Sequence, residues 1–204
     1  FMFPDDCREL TVKVAMSSVS IEEARANMET EVPGWDFDAV RAAADDEWNR
    51  YFHLIEVSGT DEQLANFYTA FYHLLIQPNN IADVSGSYRG ADDRVYQATD
   101  GRYFSTFSLW DTFRAAHPFY ALMLPDLAAS MTGNMIDHCD IQGFLPIWAL
   151  WGKENYCMIG NHAVPVLVDA CLKQLPGVDP EKAFAAIRKS LTEPHYRACL
   201  LYTS

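Results

Sequence analysis

The sequence predicts a mostly helical fold assembled from helical hairpins. Three observations carry that reading. Residues that cap helix starts recur, each followed by an apolar stripe of helical period: Ser20 with Glu23, Asp36, and Thr60 with Gln63. Period-two alternation is confined to Leu10–Val19 and to parts of a Gly- and Asp-rich stretch, 79–106. Half of the 204 residues are hydrophobic and 13% are aromatic, enough for a core and too apolar for a disordered acidic tail.

Leu10 to Val19 places Leu10, Val12, Val14 and Met16 on one side and reads as a strand. A lone strand is unstable in water, and little else in the chain matches it, so its partners are expected upstream. Ser20 opens a helix from Ile21 to about Thr30, ended before Pro33-Gly34. Asp36 opens a second helix, striped by Phe37, Val40, Ala44, Trp48 and Tyr51. Leu54–Val57 reads as a short strand or extended link. Thr60 opens a third helix, bearing Leu64, Phe67, Phe71, Leu74 and Leu75, stopped at Pro78. Residues 79–106 read as a long loop holding a β-hairpin, and such loops are functional or decorated insertions. Further helices are expected over Leu109–Ala116, Phe119–Leu124, Asp126–Asp140, Met158–Gln174 and Asp179–Leu191.

A formal net charge of −13 argues against nucleic acid and against anionic membrane surfaces, both of which need clustered Lys and Arg. No apolar run approaches the ~18 residues of a membrane span. The longest, Phe144–Trp151, is broken by Pro146. Cys7, Cys139, Cys157, Cys171 and Cys199 are scattered without a CxxC pair and read as buried thiols. No HExxH, DxDxDG, GxGxxG, GxxxxGK[ST] or GxSxG motif occurs. His138, Cys139 and Asp140 are adjacent, so on a helix they do not converge on one metal.

Three stretches mix polar groups with aromatics: Ser105–Arg114, Phe144–Glu154 and Cys157–Pro165. Trp beside Asp suits sugar, because an indole face stacks on a pyranose C–H face and a carboxylate accepts from a vicinal diol. Each stretch also has a plainer reading. Trp110-Asp111 fits a core Trp beside an N-cap Asp. Trp148 and Trp151, three apart, fit one packed helical face. Asn161-His162 fits a helix start in which Asn caps and a carbonyl satisfies His. The residues alone support a helical, acidic protein with a sugar-compatible aromatic pocket.

In order, the stretches resemble glycoside hydrolase family 92, the exo-acting α-mannosidases. The matching blocks are Val12–Ser20, Glu23–Asn27, Pro33–Phe37, Phe67–His73, Tyr88-Arg89-Gly90, Phe107–Arg114, Leu145–Trp148 with Glu154, and Cys157–Ala163. The resemblance implies the first part of an α/α toroid of helical hairpins, preceded by a strand left from an N-terminal β-sandwich and a linker helix. Its boundaries are then residues 1–19 for the sandwich edge, 20–35 for the linker and 36–204 for an incomplete toroid. The chain is expected to be an internal fragment whose last few residues read as foreign to the natural protein, with an apolar face exposed where further hairpins would pack.

The resemblance further implies a calcium-dependent, inverting exo-α-mannosidase acting on mannose-rich glycans, secreted or periplasmic. It places no catalytic acid, base or calcium ligand in this chain, so the fragment is expected to be inactive alone. It assigns substrate binding to Asp111 first, with Trp110 as a wall, then Asn161, His162 and Glu154. A non-catalytic carbohydrate-binding or interaction fragment, and an α/α-toroid glycosidase of another specificity, are the alternatives.

Overall fold

The computed structural model describes residue 3 and residues 7–194; Cys199 and the end of the chain lie outside the described residues. The helices α1 (Ile21–Glu31), α2 (Phe37–Phe52) and α3 (Asp61–Leu75) come first. Strands β1 (Asn79–Asn80), β2 (Ser87–Arg89), β3 (Val95–Gln97), β4 (Phe104–Ser105) and β5 (Phe107–Ser108) follow. Then come α4 (Leu109–Thr112), α5 (Ala116–Met123), α6 (Pro125–Gln142), β6 (Trp148–Leu150), β7 (Lys153–Glu154), α7 (Ala163–Leu172) and α8 (Pro180–Thr192).

The expected caps form. The Ser20 hydroxyl accepts from the Glu23 N–H at 3.1 Å, and Asp36 accepts from Ala39 at 3.0 Å. Thr60 and Gln63 close a reciprocal box at 3.3 and 2.9 Å. Asp179, expected inside the last helix, is instead its cap and accepts from Glu181 and Lys182. Each satisfies N–H groups that the first helical turn leaves without a partner.

The core lies around α6. This helix packs against α5, α7 and α8, and Leu109, Met131, Met135, Cys139, Leu145, Ala163 and Leu167 are sealed between them. Phe71 carries α3 to this core by an edge contact with Phe119, and the Tyr120 hydroxyl donates to the Leu74 carbonyl at 2.6 Å. A second, smaller cluster (Ile81, Tyr88, Ala98, Tyr103) fills the β2–β3 hairpin, with Tyr88 and Tyr103 stacked 3.7 Å apart.

Several expectations are corrected. Residues 10–19 form no strand, and Val12, Val14 and Met16 are exposed. Their alternation is real, but no partner strand among the described residues lies beside it. The stripe of α2 stays half-buried at Trp48 and Tyr51 and exposed at Phe37, Val40 and Ala44. Residues 54–57 form a turn and coil. Met158–His162 is not helical, because Met158 and Gly160 sit in left-handed backbone. Cys7 and Cys157 are exposed rather than buried. Exposed large apolar side chains are present, as expected, including Leu122 on α5, Leu172 on α7 and Phe184 on α8.

Residues 16–19 are held tightly nonetheless. Buried Asp83 accepts from the Ser17 hydroxyl and the Asn27 amide, both at 2.7 Å. Asn27 also donates to the Met16 carbonyl at 3.1 Å and accepts from the Val84 N–H at 2.9 Å. The Arg89 guanidinium donates to the carbonyls of Ser18 and Val19 at 2.5 and 3.0 Å. This seam binds the incoming segment and α1 to the 80–90 loop. A groove of about 860 Å³ runs beside it, bordered by Trp35, Phe37 and Trp151.

Candidate functional site

The site is organised by a three-stranded antiparallel sheet, β5–β6–β7. Ser108 pairs with Trp148, and Ala149 with Glu154. Strand β5 runs directly into α4, so Trp110 and Asp111 follow the sheet edge at once. The expected helical face of Trp148 and Trp151 is therefore wrong. Trp148 lies in β6, and Trp151 with Gly152 forms the left-handed two-residue turn into β7.

The structure brings Trp110 and His162 together. Their rings meet edge to face with centroids 5.4 Å apart, and Phe113 lies 4.4 Å from the same imidazole. Trp110 is 39% exposed, so it is no core tryptophan. Asp111 is exposed inside α4 and caps nothing; its carboxylate accepts from the Ser108 hydroxyl at 2.5 Å. Burial, and then the Arg114 charge, push the His162 imidazole below its ordinary pKa, so it favours the neutral form, a donor and an acceptor at once. No side chain caps α7, so Asn161 is not the cap expected of it. Its amide oxygen and nitrogen are both buried without a hydrogen-bond partner among the described residues.

Glu154 stands apart from this rim. It is 8% exposed, and its oxygens accept from the N–H groups of Ile147, Trp148 and Tyr156. Burial raises its pKa, opposed by those N–H groups. Lys153 pairs with Asp93 at 2.5 Å. Sequence reasoning missed Ser108, Phe113 and Gly160 as site neighbours. Ser108 and Phe113 flank the Trp-Asp pair, and a Cβ on Gly160 would lie 2.5 Å from the His162 ring, so only glycine leaves that ring its place.

Comparison with known proteins identifies the family and the fold. The family model described as the glycosyl hydrolase family 92 catalytic domain matches residues 23–201. A family GH92 α-mannosidase from Bacteroides thetaiotaomicron superposes with a TM-score of 0.84 at 35% identity, covering 88% of this chain and 24% of its own. A family GH92 inverting mannosidase from the same organism gives a TM-score of 0.84 at 33% identity, covering 90% of this chain and 25% of its own. An uncharacterized secreted glycosidase from Arthroderma benhamiae is 24% identical over 186 residues, 88% of this chain and 20% of that protein. The chain thus spans a fifth to a quarter of the length of these relatives. On that match and this fold, the chain belongs to glycosyl hydrolase family 92, within its catalytic domain.

Proposed function

We propose that the chain is part of a calcium-dependent, inverting exo-α-mannosidase that releases mannose from mannose-rich glycans, with Trp110, Asp111, Asn161 and His162 forming one wall of the sugar site. The observation that carries it is the Trp110–His162 contact beside the exposed Asp111 carboxylate. The likeness to two mannosidases supports the substrate class. Trp110 offers its ring to the apolar sugar face, and Asp111 accepts from hydroxyls. Asn161 holds a buried amide whose donors and acceptor make no hydrogen bond among the described residues, so it must turn outward to meet a sugar hydroxyl.

Inversion needs an acid on the leaving oxygen and a base on water, their carboxyls roughly 6.5–9.5 Å apart. We assign both, with the calcium ligands, to the remainder of the longer protein. Among the described residues no cluster of three or more His, Cys, Asp or Glu is placed to hold a metal, so calcium does not fit these residues alone and no step is derived through it. Residues 1–19 are read as the edge of a preceding β-sandwich, 20–35 as the linker and 36–204 as part of a helical toroid. The exposed alternation at Val12, Val14 and Met16 supports the first of these. The secreted relative supports a secreted or periplasmic setting. Among the described residues no helix is long and apolar enough to cross a membrane.

In the longer protein, Asp111→Asn should lower kcat/KM for an α-mannoside by about 10–150-fold, the cost of a hydrogen bond to a charged group. The thermal midpoint should stay within a few degrees, since Asp111 is exposed. An unchanged kcat/KM removes Asp111 from the site. The 204-residue chain alone should release no mannose. Release that stops on adding a calcium chelator would overturn that expectation.

A further inference from the structure

We propose that Glu154 is a positioning residue, holding the two backbone segments that present Asp111 and His162 in register, and makes no contact with substrate. The inference rests on the mannoside reading above for its functional consequence only.

Glu154 belongs to β7 but serves three other positions. Its Oε2 accepts from Ile147 at 2.8 Å and from Trp148 at 3.3 Å. Its Oε1 accepts from Trp148 at 3.1 Å and from Tyr156 at 2.8 Å. Both oxygens are thus committed to backbone N–H groups, which leaves none to point at a sugar. One arm of this cradle fixes the start of β6, where Trp148 lies opposite Ser108, the residue whose hydroxyl donates to Asp111. The other arm fixes Tyr156, the first of three left-handed residues (Tyr156, Met158 and Gly160) that turn the chain toward Asn161 and His162. Non-glycine residues in that backbone region are strained and persist only where their surroundings over-determine them. A buried carboxylate accepting several N–H groups supplies such a constraint, because charge-assisted hydrogen bonds are the strong ones. A neutral amide of the same shape cannot replace it, since its NH₂ would face a backbone donor.

The wild-type chain tests the cradle first by amide hydrogen exchange. Ile147 and Tyr156 amides should exchange at least 100-fold more slowly than those of Met158 and Ile159; equal rates would overturn the proposal. Glu154→Gln should erase that protection and shift the His162 ring resonances. In the longer protein it should lower kcat/KM for an α-mannoside at least tenfold, and Glu154→Ala at least as much. Glu154→Gln that loses protection yet leaves the His162 ring signals and kcat/KM unchanged reduces Glu154 to a stability role and sinks the inference. If the wild-type longer protein hydrolyses no mannoside, the mannosidase reading fails, while the exchange and His162 signals still decide the positioning role.

Discussion

Between pH 6.5 and 4 the folded protein should lose about 3 kcal/mol for each of two buried histidines, His117 and His138. Burial pushes both imidazoles down to about 4. The unfolded chain binds their protons near 6.5, so in this window it holds more protons than the native state. Stability is therefore complete above the unfolded value and falls as the pH drops toward 4. The carboxyls of buried Glu154 and half-buried Asp137, whose pKa values burial raises, act in the opposite sense and recover part of the loss on acidification. Two such losses are a large share of an ordinary domain's stability. His138 is the cleaner probe, because its buried Nε2 has no hydrogen-bond partner among the described residues. His138→Leu should flatten roughly half of the acid limb in chemical denaturation measured from pH 7 to 4.5. A wild-type unfolding free energy that is flat over that range contradicts the assignment.

Gly152→Ala should destabilise the protein by roughly 2–5 kcal/mol, combining about 1–2 kcal/mol for a left-handed non-glycine residue with about 1–3 kcal/mol for overpacking. Gly152 has φ +82°, and a Cβ there would lie 2.6 Å from the Arg89 carbonyl oxygen. That neighbour is backbone and cannot swing aside. Its own position is fixed, because the Arg89 side chain is tied to Ser18 and Val19. Gly152 also donates its N–H to the buried Ser105 hydroxyl at 2.8 Å, so the turn cannot retreat without breaking that bond. Gly101→Ala, at φ +75° with nothing within 4 Å of a Cβ, isolates the conformational part. A denaturation midpoint for Gly152→Ala no lower than that of Gly101→Ala would show that the close approach is relieved in solution.

The helices were legible wherever a cap stood at their start, because capping is a short-range interaction between residues three apart. Ser20, Asp36 and Thr60 all act as they read. The errors fall where a local pattern admits two structures. Trp148 and Trp151 are spaced for one helical face, but Pro146 and the left-handed Gly152 convert the segment into a strand and a turn. Leu10–Met16 alternates as a strand does, yet pairing is a property of neighbours, not of the segment. Trp110 and Asp111 stood out by composition. The meeting of Trp110 with His162, 52 positions further along, depends on β5 pairing with β6 across the whole of α5 and α6, which no local pattern encodes. Glu154 was drawn to notice by the resemblance, but its inward turn could not be read from its neighbours.

The seam at Asp83, Asn27 and Arg89 bears on how chimeras of this family should be cut. The first helix begins at Ile21, which invites a splice at Ser20. Yet Met16, Ser17, Ser18 and Val19 already give a carbonyl or a hydroxyl to side chains of the helical part. A graft joined at Ser20 would strip Arg89 of two acceptors and Asp83 of a donor, leaving charges stranded at the joint. A splice upstream of Met16 carries the whole fastening with the catalytic part and leaves the foreign module to meet only the extended stretch before it.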